Sequence, residues 1–295
     1  GEKEMRNSSS FSVVLVYLVI VIISIFMILP FVWMVSVSLK PSGRIYEYPP
    51  RFIPSPVTFE NYRTAWDRAN FSLYFMNTTI FAVVGVLLTI SLCSLGGYVF
   101  AKLRFPGKNI LFMVILFTMM LPFFSVLIPL FLIVKNFPLA GGNNLFGKGG
   151  TGLINSFAGL ILPGIVNGYY IFLFRQFFTM LPDELIQAAR IDGCSEFRIF
   201  AQIMLPLAKP ALATVAIFSF MDKWNALVWP LVVLTDPNKR TLQVGLAIFQ
   251  GEQLTGAQWN ELMAASVISL LPTVLVFLLA QKYFTTGIAL TGIKE

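Results

Sequence analysis

Asp222 and Lys223 stand side by side in an otherwise apolar stretch, MDKWN, where an unpaired charge is expensive and is tolerated mainly beside water or a partner. Adjacent residues on a helix point about 100° apart, so the two need not neutralise each other. With Trp224 and Asn225 they suit a translocation path or a seam between subunits. Asp222 is also what an ion-gradient-driven carrier would use, and Lys223 is a hint of an anionic substrate. If the stretch is offset by a turn, both charges instead approach the membrane surface and Lys223 snorkels. A second candidate, Gly142 to Lys148, begins like a phosphate-binding loop. The Ser or Thr that would meet magnesium is Gly149, however, and no buried strand precedes it, so a flexible connection is expected. The chain has no histidine, the commonest general base and transition-metal ligand, and carboxylates are scarce in its apolar runs. No catalytic residue, metal or cofactor is therefore expected in this chain. Cys93 lies in an apolar run and Cys194 in a polar one, which argues against a disulfide between them.

The third candidate is a polar island, LPDELIQAARIDGCSEFRIFAQIMLPLAKP, from Leu181 to Pro210. Pro182 suits a first helical position, and Asp183 and Glu184 place negative charge at the positive end of the helix dipole. A short helix through Leu185, Ile186, Ala188 and Ala189 should end at Gly193, the residue best suited to a left-handed turn. Ser195 can cap a second helix whose Phe197, Phe200, Ile203 and Met204 recur near three- and four-residue spacing, and Pro206 and Pro210 should close it. Small Ala188 and Ala189 would let another protein approach closely. The plain alternative is an amphipathic connector between two membrane helices.

The elements that must hold these residues follow from composition. At 57% hydrophobic and 12% charged over 295 residues, the chain belongs in a bilayer, whose core of about 30 Å takes roughly 20 apolar residues per helix. The expected fold is all-α and polytopic: a cytoplasmic tail over 1–10, then one domain over 11–295. Its six spans lie near 11–38, 71–101, 110–134, 151–174, 211–235 and 262–281. Pro30 should kink or end the first, and Pro163 lies inside the fourth. Thr58 can cap a short helix carrying Phe59, Tyr62 and Trp66 at headgroup level. The loop with Lys102, Arg104 and Lys108 has no acidic residue and is placed on the cytoplasmic side, with the island and both termini. The net charge of +7 is spread through loops, which suits anionic lipid headgroups and not nucleic acid. Outside, the polar segment from Gly251 to Asn260, with Glu252, Gln253, Gln258 and Trp259, is expected as a loop able to touch a partner.

The island resembles the EAA motif of permease subunits of ABC importers, roughly Glu-Ala-Ala, three residues, Gly, nine residues, Ile-x-Leu-Pro. Ala188, Ala189, Gly193, Ile203, Leu205 and Pro206 fall in that register, while Gln187 stands where the motif has glutamate. Asn77-Thr78, Phe105-Pro106-Gly107, Trp224-Asn225, Trp229-Pro230-Leu231, Trp259-Asn260 and Met263-Ala264-Ala265 extend the likeness to the maltose-type permeases of carbohydrate importers. The resemblance implies a subunit of a bacterial or archaeal inner membrane that pairs with a second permease. Two ATPase subunits would hold the ATP and magnesium, and a solute-binding protein outside would deliver a sugar. It further implies that Glu184, Gln187, Ala188, Ala189, Asp192 and Gly193 couple to the ATPases, their helices moving as rigid levers during alternating access. Residues Gly251 to Asn260 would then reach the binding protein.

Overall fold

The computed structural model describes residues 2–68, 70–256 and 258–292, with side chains from residue 13 onward apart from 68, 252–256, 280 and 282–292. All regular structure among the described residues is helical. Fourteen α-helices follow in order: α1 (Glu2–Ser38), α2 (Glu60–Arg68), α3 (Phe71–Lys102), α4 (Lys108–Met120), α5 (Phe123–Lys135), α6 (Phe157–Ile161) and α7 (Gly168–Met180). Then come α8 (Glu184–Ile191), α9 (Glu196–Ile199), α10 (Leu205–Leu207), α11 (Lys209–Trp224), α12 (Val228–Val233), α13 (Leu242–Gly256) and α14 (Trp259–Gly292).

Among the described residues, three helices are long and apolar enough to cross a membrane: Val13–Ser38 within α1, Phe71–Lys102, and Trp259–Leu279 within α14. The other expected spans are broken. α4 and α5 meet at 109°, the α6 segment and α7 at 45°, and Glu196–Leu207 and α11 at 82°. The first break has a local cause: Pro122 has no N–H to donate and holds Leu121 in extended backbone, φ −78° and ψ 120°. The stretches over 110–134 and 151–174 are thus bent within, whereas the 82° bend at Ala208 precedes the stretch over 211–235, whose helix is interrupted between Trp224 and Val228. The fourth starts only after Ser156, whose hydroxyl caps α6 by accepting from Gly159 N at 3.1 Å. The expected tail over 1–10 is helical from Glu2, with no proline or glycine to interrupt it, and α1 passes through Pro30. The last helix likewise runs past position 281 to Gly292.

The chain divides into two compact units, 1–70 with 246–270, and 71–245 with 271–295. In the first, buried Asn61 organises the turn after α1. Its Nδ2 donates to Ser38 O (2.7 Å) and Lys40 O (2.8 Å), and its Oδ1 accepts from Asn260 Nδ2 at 2.6 Å. Thr58 lies one residue ahead of the N-cap position of α2, and its Oγ1 accepts from the first helical N–H, Glu60 N, at 3.2 Å.

In the second unit α3 packs along α7 and α11. Asn77 Nδ2 donates to the carbonyls of Asn238 (2.9 Å) and Arg240 (3.0 Å), and Thr78 Oγ1 accepts from Leu242 N at 2.7 Å. This pair therefore pins the segment entering α13. Its hydroxyl satisfies one of the orphan donors at that helix's start.

Candidate functional site

The polar island folds as two short helices around a bend at Gly193, which takes φ +77°. Gly193 N donates to Arg190 O and Cys194 N to Ala189 O, both at 3.0 Å, the hydrogen-bond pair of a Schellman ending. Ser195 Oγ accepts from Arg198 N at 3.4 Å and starts α9. Pro182 lies outside α8, which begins at Glu184, and Pro206 and Pro210 do not close the second helix. The chain passes through a π-helical turn, Phe200–Met204, and α10, then breaks at Ala208.

One face of this unit is built into the protein. Ile186, Ala189, Ile199, Phe200 and Met204 pack in a core with Tyr98 of α3 and Phe174 and Phe178 of α7. Ala189 is thus turned inward, correcting its expected availability to another chain. Phe197 is corrected the other way, since it stands 69% exposed and leaves the apolar stripe. The opposite face carries Glu184, Gln187, Ala188, Asp192 and Gly193, all exposed, with Ile191 86% exposed among them.

Contacts that sequence reasoning did not anticipate tie this loop to the membrane helices. Tyr98 Oη donates to Glu196 Oε2 at 2.9 Å, and Arg190 Nε donates to Glu196 Oε1 at 2.7 Å. Lys102, at the end of α3, donates to Leu181 O at 2.7 Å and to the Asp183 carboxylate. The ammonium of Lys102 beside Asp183 holds that carboxyl below its usual range. Between them lies a hollow of about 430 Å³, lined by Lys102, Arg104, Ile186, Gln187, Arg190 and Glu196 among others. Each partner is about 80 or more positions away from α3 in sequence or lies inside the island, so no local pattern announces the clamp.

The second site is a cavity of about 960 Å³ bounded by α3, the α4–α5 bend, α7, α11 and α12. Asp222 and Lys223 line it, with Tyr169, Tyr170, Phe81 and Trp229. They occupy the end of α11 and not the middle of a helix, because the backbone breaks after Trp224. The pair turn to different partners. Asp222 accepts from the Tyr170 hydroxyl, whereas Lys223 Nζ donates to Ser219 Oγ (2.8 Å) and Thr89 Oγ1 (3.1 Å). Trp224 does not join them: it is 2% exposed, stacked on Phe220 and edge-on to Phe75, a correction to its expected place on the path. Asn225 is exposed and caps the end of α11, its Nδ2 donating to Met221 O at 2.9 Å. Gly85 is the contributor that sequence reasoning missed. A Cβ there would lie 2.4 Å from Lys223 Cε, so the lysine stem needs that glycine.

The polar segment from Gly251 to Asn260 is not a loop throughout. α13 continues to Gly256 and α14 begins at Trp259, so the expected connection shrinks to the positions between them. Gly251 is exposed and Trp259 half-buried, while Gln258 O accepts from Glu261 N and Leu262 N. The side chains of Glu252 and Gln253 lie outside the described residues. Cys93 and Cys194 are both free thiols, as expected. No cluster able to hold a metal occurs among the described residues.

Comparison with known proteins bears on both sites. The family described as "binding-protein-dependent transport system inner membrane component" matches residues 93–289. The diacetylchitobiose uptake system permease protein NgcG of Streptomyces coelicolor is 34% identical over 88% of this chain and 82% of its own. The arabinooligosaccharides transport system permease protein AraQ of Bacillus subtilis is 33% identical over 98% of this chain and 99% of its own. The sn-glycerol-3-phosphate transport system permease protein UgpE of Salmonella typhi is 36% identical over 83% of this chain and 84% of its own. A crystal structure of a bacterial ABC transporter involved in the import of the acidic polysaccharide alginate superposes with a TM-score of 0.81. It shares 26% identity and covers 94% of this chain and 98% of the other. The likeness expected from the EAA-like register is thereby borne out, and none of these matches supports an ion-gradient-driven carrier. The chain belongs to the family of binding-protein-dependent transport system inner membrane components and is a permease subunit of an ABC importer.

Proposed function

We propose that this permease forms half of the membrane pathway for a sugar or oligosaccharide. A second permease completes the path, two ATPase subunits hold ATP and magnesium, and a solute-binding protein delivers the cargo. The named cargoes of the relatives, diacetylchitobiose, arabino-oligosaccharides, alginate and glycerol phosphate, share a polyhydroxylated skeleton. In this reading the three bent helix pairs each serve as one span, giving six, with both termini and the Gly193 bend on the cytoplasmic side. Glu184, Gln187, Ala188, Asp192 and Gly193 dock on an ATPase, Asp222 and Lys223 line the sugar path, and Gly251 to Trp259 meets the binding protein.

The observation that carries the docking assignment is the two-sidedness of the island. Ile186 and Ala189 anchor it, the Lys102–Asp183 and Tyr98–Glu196–Arg190 contacts fix it, and Ile191 remains exposed beside Glu184 and Gln187. A rigid, partly apolar knob of this kind suits insertion into a cleft of another protein. Gln187 lacks the charge of the motif's glutamate, and Glu184, one turn earlier on the helix, supplies it instead. Cysteines placed at 184 and 187 in the assembled importer should crosslink to the ATPase subunit, position 184 the more strongly. Failure of both in a complex that hydrolyses ATP would remove the docking assignment.

A further inference from the structure

We propose that the cations where α3 gives way to α4 hold the phosphodiester of an anionic phospholipid, with Arg104, Lys108 and Arg175 as the groups that grip it and the exposed flank of α4 as the bed for its acyl chains. None of the three belongs to the docking face or to the sugar path proposed above.

The end of α3 draws these cations together. Arg175 of α7 donates from Nε to Phe100 O at 3.2 Å, and Lys108 Nζ donates to the nearby carbonyls of Ala101 (3.3 Å) and Leu103 (2.8 Å). Arg104 and Arg175 both stand close enough to act electrostatically on the Lys108 ammonium. A helix C-terminus presents about half a negative charge, which accounts for one of these cations and not for three. No carboxylate lies within ion-pair distance of any of them among the described residues. Asp183, the carboxylate that Arg104 acts on, is already held by Lys102. Like charges kept together without a counter-ion repel one another, and an anion bridging them offsets that repulsion. The donors to hold one are in place. Lys108 uses two of its three N–H groups on carbonyls, and Arg175 uses only its Nε, its guanidinium standing 4.2 Å over the Phe112 ring. The outer nitrogens of that guanidinium form the fork that matches two oxygens of a phosphate. Arg104 is exposed and can close on the anion from outside.

The surroundings favour a lipid over a soluble partner. Just after Lys108, Ile110, Met113, Val114 and Phe117 recur at three- and four-residue spacing, and each is more than half exposed. They make one apolar flank of α4 that leads from the cations into a candidate membrane span. A phospholipid joins a charged head to apolar chains in the same order. An acidic surface of a soluble protein would satisfy the cations and leave the flank bare. The head must carry no ammonium of its own, because a zwitterionic head returns the positive charge that the cluster already holds in excess. Phosphatidylglycerol meets that requirement and phosphatidylcholine does not.

The test measures lipid bound to the assembled importer by native mass spectrometry. The complex in neutral detergent is titrated with phosphatidylglycerol and, separately, with phosphatidylcholine of the same chains. The first phosphatidylglycerol should bind the wild type at least about tenfold more tightly than phosphatidylcholine. Each cation removed should weaken it about fivefold, so Arg104→Gln loses about fivefold and Arg104→Gln with Arg175→Gln about 25-fold, with phosphatidylcholine unchanged. Lys209→Gln, which removes an exposed cation at the start of α11, should bind as the wild type does. Equal affinity for the two lipids overturns the proposal. So does an equal loss in Lys209→Gln and Arg104→Gln, which would show attraction to surface charge at large. Displacement of the lipid by millimolar inorganic phosphate would assign the cations to the free ion. Unchanged lipid binding in Arg104→Gln together with loss of the ATPase subunits would assign them to an acidic protein surface, and either result overturns the lipid. If the double variant does not assemble, Arg104→Gln decides alone, because that side chain makes no hydrogen bond among the described residues.

Discussion

Replacing Gly193 tests whether the bend between α8 and α9 works through backbone conformation. The residue sits at φ +77°, and a Cβ added there would meet no atom within 4 Å. The cost of a side chain is therefore conformational and not steric. Alanine should lose about 1 kcal/mol in this left-handed position, β-branched valine about 2, and asparagine only a few tenths. Losses of one to two kcal/mol depopulate the bent loop by factors of roughly 5 to 30. In proteoliposomes holding the complete importer, solute moved per ATP hydrolysed should stay near wild type for Gly193→Asn. It should fall several-fold for Gly193→Ala and by an order of magnitude or more for Gly193→Val, with hydrolysis continuing. A valine variant with the wild-type ratio would show that the left-handed bend is not what couples the two events. An asparagine variant as impaired as valine would show that bulk at an interface matters instead.

Other substitutions probe the same geometry. Tyr98→Phe removes a hydrogen bond to a charged, half-exposed acceptor and should cost about 1 kcal/mol. In thermal unfolding of the purified protein, the same change in a Glu196→Gln background should cost less than half as much. The Asp183 carboxyl is depressed by Lys102, so that contact contributes above the ordinary carboxylate range and is lost as pH falls through the lowered value. Amide exchange over 181–187, corrected for its intrinsic rate, should stay flat from about pH 7 to 5 and rise only below about 4. Gly85→Ala should overpack the lysine slot by about 1–3 kcal/mol. That loss should shrink in a Lys223→Ala background, and a full loss there would mean that Gly85 makes room for something else.

Much of this architecture was legible in residue chemistry. Apolar runs located the long helices, and Asp183, Gly193 and Ser195 located the island's two helices, because capping and left-handed turns depend on neighbours within a few positions. The breaks were harder to see. Uncharged length cannot distinguish one straight span from two short helices meeting at 109°, although Pro122 was in plain view. Gly251 and Gly256 suggested a loop, yet the Glu, Gln and Leu between them are good helix formers and α13 continues through them. The contacts that hold the candidate sites together, Tyr98 to Glu196 and Lys223 to Thr89, span 98 and 134 positions. Such pairings arise from how helices pack, which a pattern of neighbours does not encode. Helix phase likewise decided that Ala189 and Trp224 face inward beside residues that face out.

The two candidate sites are joined by a single unbroken helix. α3 supplies Gly85 and Thr89 to the lysine slot and Tyr98 and Lys102 to the clamp on the island, with about 20 Å of helical rise between Thr89 and Lys102. The other covalent route, from α9 to α11, passes an 82° elbow. A stiff strut transmits displacement with little loss, while an elbow converts it into rotation. Lys223 rides on the elbowed arm and its hydroxyl partner Thr89 on the strut, so any motion that treats the two arms unequally is read out at the lysine's hydrogen bonds. The lysine's hydrogen bonds and the posture of the knob around Gly193 are then two gauges of the same mechanical strain.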